Sequence, residues 1–117
     1  MSRIKLERLE NSFVEKISDI IKNNIKDKDI EFVTITATKI SSDLSYAKVY
    51  FTTLNDEKRN EIIKSLNKAS SFIRSELCQK INIRKMPELV FIYDESIEYG
   101  NKIEHIIEEL KESDKDV

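Results

Sequence analysis

The sequence is poor in the residue types on which many enzyme sites depend. Its 117 residues include one glycine, one proline, one cysteine and one histidine. A phosphate-binding P-loop and a dinucleotide-binding fingerprint each need several glycines, so neither motif is present. A lone cysteine and a lone histidine exclude an internal disulfide, a cysteine-rich zinc site and a catalytic histidine pair. Several large classes of enzyme are therefore excluded by composition.

Charge is unevenly distributed along a chain whose formal net charge is only −2. Residues 57–87 carry eight basic and three acidic side chains, whereas residues 88–117 carry three basic and ten acidic ones. The preceding residues, 1–56, carry equal numbers of each sign. A basic segment within a chain that is acidic overall predicts one surface that faces a polyanion.

The length and composition are those of one globular domain with no membrane segment. Hydrophobic residues make up 39% of the chain and charged residues 36%, and no apolar run is long enough to cross a membrane. The first residues lack the apolar core of a signal peptide, and a single cysteine suits a reducing compartment. We expect a cytoplasmic monomer that needs no cofactor and no metal.

The spacing of apolar residues predicts a first helix, a hairpin, a third strand and a last helix. Phe32–Thr38 and Tyr46–Thr53 are rich in β-branched and aromatic residues, which predicts the two strands of the hairpin. Glu88–Tyr93 is the predicted third strand, and a last helix is expected to begin at Asp94 or Ser96. The apolar positions of the first helix are Leu6, Leu9, Phe13, Ile17, Ile20, Ile21 and Ile25.

A long helical segment lies between the second and third predicted strands. Its apolar positions are Ile62, Leu66, Ala69, Ile73, Leu77 and Ile81. Because serines compete for backbone hydrogen bonds, we expect two helices joined by a kink at Ala69, Ser70 and Ser71, with an N-cap from Asn55 or Asp56. The long crossover predicts parallel pairing of the strands that it joins. The whole order, α-β-β-α-α-β-α, predicts an α+β fold with helices on one face of a three-stranded sheet.

A helical wheel of residues 57–82 separates an apolar face from a basic one. The basic face interleaves cations with small neutral donors, Glu61 is the only acid in this arc of the helix, and Arg84 and Lys85 extend the face beyond the helix. Cations neutralise phosphates while hydroxyl and amide groups meet sugar oxygens, so this face suits a nucleic-acid backbone. The alternative is a solvated helix face without a partner. The residues of the face are Asn60, Lys64, Asn67, Lys68, Ser71, Arg74, Ser75, Cys78 and Gln79.

A second candidate surface is the outward face of the second predicted strand. Tyr46, Lys48 and Tyr50 alternate onto this face, where aromatic rings are able to stack on unpaired bases. The alternative is that the tyrosines cover a neighbouring strand.

Three blocks of sequence carry a resemblance to one protein family. They are Ser42–Tyr50 (SDLSYAKVY), Ala69–Arg74 (ASSFIR) and Arg84–Phe91 (RKMPELVF). Together they make the chain similar, over about residues 3–110, to the bacterial ribosome-binding factor A family. Three features depart from the family pattern: Ser71 stands where a glycine is common, Asp27–Asp29 (DKD) stands where Asp-Pro-Arg is often found, and the C-terminal extension is short and acidic.

The resemblance implies a type II KH-like fold in which a helix–kink–helix replaces the usual GxxG loop. Apart from the resemblance, the length predicts a single domain over residues 1–112, and the charged final residues predict a short acidic disordered tail at 113–117. The resemblance further implies a non-enzymatic factor that binds the free 30S subunit through 16S rRNA, assists late maturation including that of the 16S 5′ region, and supports growth in the cold. A biogenesis GTPase is a candidate partner. The alternative is a protein-interaction adaptor on the ribosome, or on such a GTPase, with no direct RNA recognition.

The basic face and its surroundings supply the residues expected to contact RNA. We expect phosphate contacts from the helical segment, from the residues that follow it and from the start of the first helix. The expected RNA-binding residues are Arg3, Lys5, Arg8, Lys64, Lys68, Ser70, Ser71, Arg74, Lys80, Arg84 and Lys85.

Overall fold

Two helices and three strands make up the described part of the protein. A computed structural model describes residues 2–25, 30, 33–54 and 56–96. The elements are α1 (Arg3–Asn24), β1 (Val33–Ile40), β2 (Tyr46–Thr53), α2 (Arg59–Lys80) and β3 (Glu88–Tyr93). A 3₁₀ turn, Asp56–Lys58, leads directly into α2.

Helix α1 forms because its sequence combines an N-cap with an apolar stripe. The Ser2 hydroxyl oxygen accepts a hydrogen bond from the backbone N–H of Lys5 at 3.3 Å, which satisfies one of the free donors of the first turn. Phe13, Ile17 and Ile20 are fully buried on the stripe that faces the sheet. The predicted first helix is confirmed, and it begins at Arg3, about one turn before Leu6, the first of the predicted apolar positions.

The sheet has the strand order β1-β2-β3. Strands β1 and β2 form an antiparallel hairpin, and β3 pairs with β2 in parallel, so both predicted pairings are confirmed. The register of the hairpin shifts between Ile35 and Ala37, which makes Thr36 the extra residue of a β-bulge. Its hydroxyl donates to the Asp94 carboxylate at 2.6 Å, so the bulge is tied to the residue that follows β3.

The prediction of two separate helices joined at 69–71 is wrong. The chain is α-helical from Arg59 to Lys80 without interruption. The Ser70 hydroxyl donates to the backbone carbonyl oxygen of Asn67 at 2.8 Å, so the serine is accommodated in the helix without ending it. The helix also starts later than the predicted Asn55–Asp56 cap, and Lys58 at the cap position makes no side-chain capping bond.

One hydrophobic core lies between the two helices and one face of the sheet. Alternate residues of β2 and β3 point into it, as the burial of Val49, Phe51 and Phe91 shows. Helix α2 contributes Ile62, Leu66, Ile73 and Leu77, each at most 2% exposed. This arrangement confirms the predicted α+β layering of helices on one face of a three-stranded sheet.

The predicted last helix and the tail at 113–117 fall outside the described residues. The helical conformation begins at Glu95 and Ser96. Asp94 accepts a hydrogen bond from the backbone N–H of Ser96 at 3.0 Å, the bond expected of an N-cap. Among the residues that the structure describes, no helix is sufficiently long and apolar to cross a membrane.

Candidate nucleic-acid interface

The buried stripe of α2 determines which of its side chains face outward. Leu66 and Ile73 are fully buried against the sheet, so the opposite positions of the helix are held away from the core. The nine residues predicted to form the basic face are all exposed, which confirms the helical-wheel assignment. We call this surface the α2 face. It is made of Asn60, Lys64, Asn67, Lys68, Ser71, Arg74, Ser75, Cys78 and Gln79.

Two lysines form the electrostatic centre of the α2 face. Lys64 and Lys68 lie one helical turn apart, both are exposed, and neither has an ion-pair partner among the described residues. Like charges at this spacing weaken a helix slightly, and here the continuous helix keeps them side by side. Since Ser71 and Ser75 continue the same row, hydroxyl donors stand next to the two cations. The row therefore presents the donors that phosphate and sugar oxygens require.

Arg74 belongs to the α2 face but is already bonded within the protein. Its guanidinium donates from Nε to the carbonyl oxygen of Pro87 at 3.2 Å and from Nη2 to that of Met86 at 2.7 Å. A guanidinium has five N–H donors in a planar fork, so some remain for a phosphate. Because Met86 and Pro87 are buried, Arg74 fixes the connection before β3 to the helix. We therefore interpret it first as a positioning residue.

Arg84 and Lys85 are exposed on that connection, next to the hairpin turn 41–45. The backbone N–H of Glu88 donates to the Ser45 carbonyl oxygen at 3.0 Å, which brings the two segments together at one end of the sheet. Lys85 therefore lies near enough to the turn for its charge to act on Asp43.

The hairpin turn carries one acid with a strongly perturbed pKa. The Ser41 hydroxyl donates to Asp43 Oδ1 at 2.8 Å, and the Ser45 backbone N–H donates to it at 3.1 Å. Hydrogen bonds from Ser41 and then Ser45 lower the pKa of Asp43 to about 2, and the charge of Lys85 adds a smaller effect in the same direction. The carboxylate is thus held ionised by the turn that it organises.

The other predicted contacts are dispersed. Arg3, Lys5 and Arg8 are exposed on the first turns of α1, where Arg3 lies 3.6 Å from Glu7. Lys80 is exposed at the end of α2. Ser70 is half-buried, and its hydroxyl already donates a hydrogen bond to the Asn67 carbonyl oxygen. The structure thus brings together the α2 face and the 84–85 connection, and it places the α1 residues on a different helix.

The sequence interpretation did not include Lys39. It lies directly opposite Lys48 in the β1–β2 ladder, on the sheet face that carries Tyr46 and Tyr50. The pairing could have been predicted from the hairpin. A tight turn between Ile40 and Ala47 places residues that are equally far from the turn opposite each other, and this pairs Lys39 with Lys48.

The described residues contain no cluster of three or more His, Cys, Asp or Glu side chains suited to a metal ion. An open cleft of about 420 Å³ lies between α1 and β1, and its lining residues include Glu7 and Glu10. Lys39 also lines the cleft, but the two carboxylates outnumber this cation, so the cleft does not suit a nucleic-acid backbone. His105 lies outside the described residues.

A comparison with known families identifies the relationship. Residues 5–107 match the family described as Ribosome-binding factor A. The chain belongs to the ribosome-binding factor A family. The ribosome-binding factor A of Staphylococcus epidermidis is 48% identical to it over 116 residues, which cover 98% of this chain and 100% of that protein.

Solved structures of the family confirm the fold. The crystal structure of ribosome-binding factor A from Thermus thermophilus has a TM-score of 0.69 and 22% identity, covering 75% of this chain and 94% of that one. A homology model of the Thermus thermophilus factor, fitted into a cryo-electron microscopy map of a 30S complex, has a TM-score of 0.64 and 21% identity, covering 77% of this chain and 96% of that one. The predicted KH-like α+β fold is therefore correct.

Proposed function

We propose that this protein binds the free 30S subunit through 16S rRNA and assists its late maturation, including that of the 16S 5′ region, without catalysis. Family membership supports a ribosomal role, and the related Thermus protein has been fitted into a map of a 30S complex. The observation that carries the proposal for this chain is the exposed lysine pair, Lys64 and Lys68, on the α2 face. We further propose that it acts in the cytoplasm as a monomer, with a biogenesis GTPase as a candidate partner.

The proposed mechanism is binding that favours one rRNA conformation. Lys64 and Lys68 neutralise phosphates, while Ser71 and Ser75 bond to backbone oxygens. Arg74 holds the connection that carries Arg84 and Lys85, so that these cations keep a fixed position relative to the helix. A ligand shifts a conformational equilibrium only by its differential affinity, and a rigid row of donors matches one backbone geometry better than others. Such an effect matters most in the cold, where alternative rRNA structures interconvert slowly.

Charge reversal on the α2 face tests the proposal. We expect K64E/K68E to abolish cosedimentation with purified 30S subunits in a sucrose gradient, since both substitutions place acids against phosphates. Both side chains are exposed, so the circular dichroism spectrum and the unfolding midpoint should stay unchanged. K16E/K22E is the matched control, because Lys16 and Lys22 lie on α1 outside the predicted contacts. Undiminished cosedimentation of K64E/K68E would move the site elsewhere.

Nuclease treatment distinguishes rRNA binding from the adaptor alternative. A factor held by rRNA should leave the particle when its RNA is digested, whereas an adaptor should stay with the ribosomal proteins or with a GTPase. The distribution in cell extracts adds a second check. A maturation factor should sediment with free 30S subunits, and its presence only in 70S ribosomes or polysomes would contradict the proposal.

A further inference from the structure

The sheet face opposite the helices is an ordered grid of side chains. Lys48, at the centre of β2, pairs with Lys39 of β1 on one side and with Val90 of β3 on the other. Tyr46 and Tyr50 lie one row before and one row after Lys48 on the same strand. We call these five residues the open sheet face. Both helices pack on the other side of the sheet, and no described element covers this one.

The lysine pair at the centre is unfavourable for the isolated protein. Lys39 and Lys48 are both exposed and directly opposite each other, and like charges in this position destabilise a sheet. Neither has an ion-pair partner among the described residues. Glu88, an acid of β3 on the same face, is opposite Tyr46 and therefore one row away from the pair. The Glu10 carboxylate lies at the edge of β1, where it accepts a hydrogen bond from the backbone N–H of Ile40 at 2.8 Å. The repulsion between the two lysines does not stabilise the fold, and a bound anionic ligand would relieve it.

Apolar and aromatic groups surround the lysines. Tyr46 is 55% exposed and Val90 is 41% exposed, and Tyr50 is half-buried. Aromatic rings on an open sheet, with cations between them, are what unpaired bases and their phosphates require. A protein partner fits less well, because lysine is depleted at the centre of protein–protein interfaces.

We propose that the open sheet face binds single-stranded RNA, with a base stacked on Tyr46 and phosphate held by Lys39 and Lys48. The inference rests on the proposed function in that the strand is expected to be part of the same ribosomal RNA. It adds a second contact, since the α2 face and the open sheet face point away from each other on opposite sides of the domain. The two surfaces would therefore hold different RNA segments.

Binding to a short RNA separates this surface from the α2 face. The probe is a labelled, unstructured RNA of about ten nucleotides, a length that a single-strand site covers, read by fluorescence anisotropy with the full chain. We expect Y46S and K39Q/K48Q each to weaken binding by about fivefold or more, the loss typical of one stacked base or two phosphate contacts. The logarithmic salt dependence of K39Q/K48Q should be shallower by about 1.4, at about 0.7 per phosphate.

The control variants assign any failure to one proposal or the other. K16Q/K22Q should bind the short RNA with the affinity of the unaltered chain. Y46S should not change the affinity for a duplex RNA of the same sequence. K64E/K68E should lose the 30S subunit, and adding Y46S to it should weaken its remaining affinity for the short RNA by the same factor as in the unaltered chain. If K64E/K68E still bound the 30S subunit, the proposed function of the α2 face would fail and this inference would not.

Two results would overturn the inference. One is equal affinity of Y46S, K39Q/K48Q and the unaltered chain for the short RNA. The other is that the Tyr46 ring and the Val90 methyl groups are shielded, in NMR spectra of the free full chain, from a water-soluble gadolinium chelate. Shielding would show that the face is already covered in the free protein.

Discussion

At the scale of single residues, the scarcity of glycine has a visible consequence in the hairpin turn. Leu44 has a φ of 61°, a left-handed conformation that costs a residue with a Cβ about 1–2 kcal/mol. Two features offset this cost: the Ser41 hydroxyl oxygen accepts from the backbone N–H groups of Ser45 and Tyr46 at 3.0 Å, and the Leu44 side chain packs against the core. The turn is therefore held by its side chains, where other hairpins rely on glycine.

Arg74 allows the structural and electrostatic parts of the α2 face to be separated. We expect R74Q to lower the free energy of unfolding by about 1–2 kcal/mol, because two hydrogen bonds from a charged group to carbonyl oxygens are lost. The free energy of unfolding of R74K should lie between those of R74Q and the unaltered protein. The lysine ammonium keeps the charge but cannot bond to both carbonyl oxygens at once. K68Q, an exposed change on the same face without a bonded partner, should lie within about 0.5 kcal/mol of the unaltered protein. Urea denaturation measures all three, and equal effects of R74Q and K68Q would show that the bonds to Met86 and Pro87 do not hold in solution.

At the scale of secondary-structure elements, the continuity of α2 gives the α2 face its shape. A break at 69–71 would turn Lys64 and Lys68 away from Ser75 and from the 84–85 connection. In the uninterrupted helix, positions three and four residues apart stay in one row. The serine at position 71, where the family commonly has glycine, favours this continuity because serine is the better helix former.

Glycine substitutions test whether the helix is continuous in solution. In the middle of a helix, Ser→Gly costs about 0.5 kcal/mol, so we expect S71G and S75G to lower the free energy of unfolding by the same amount. At a break between two helices, glycine would be neutral or stabilising. Thermal or urea unfolding of both variants measures the difference. A cost for S75G together with none for S71G would place an interruption at Ser71.

What the sequence could predict followed from local pattern. The bounds of β2 and β3 and the buried stripe of α2 depend on period-two and period-3.6 alternation, which neighbouring residues determine. The prediction of two separate helices failed because whether a serine hydroxyl bonds inside the helix or interrupts it is decided by geometry that the sequence does not contain. The hydrogen bonds from Arg74 to the carbonyl oxygens of Met86 and Pro87 were also not predictable, because they depend on the path of the chain between α2 and β3.

At the scale of the whole molecule, opposite charges are separated in the sequence. The net charge of −2 repels a polyanion at long range, whereas the basic segment 57–87 attracts it at contact. Screening by salt limits both effects to roughly 8–10 Å at physiological ionic strength. Binding is then decided by the few cations that touch phosphate, and the acidic remainder limits non-specific attachment to other nucleic acids.

The salt dependence of binding measures how many cations take part. With about 3–5 phosphates neutralised, the logarithm of the 30S association constant should fall with the logarithm of salt concentration with a slope of roughly −2 to −4.5. Removing two cations in K64Q/K68Q should make the slope shallower by about 1.5, while K16Q/K22Q should leave it unchanged. Filter binding or sedimentation across a salt series gives the three slopes. Because contacts to ribosomal proteins release few counterions, a slope near zero in the unaltered protein would favour the adaptor alternative over recognition of rRNA phosphates.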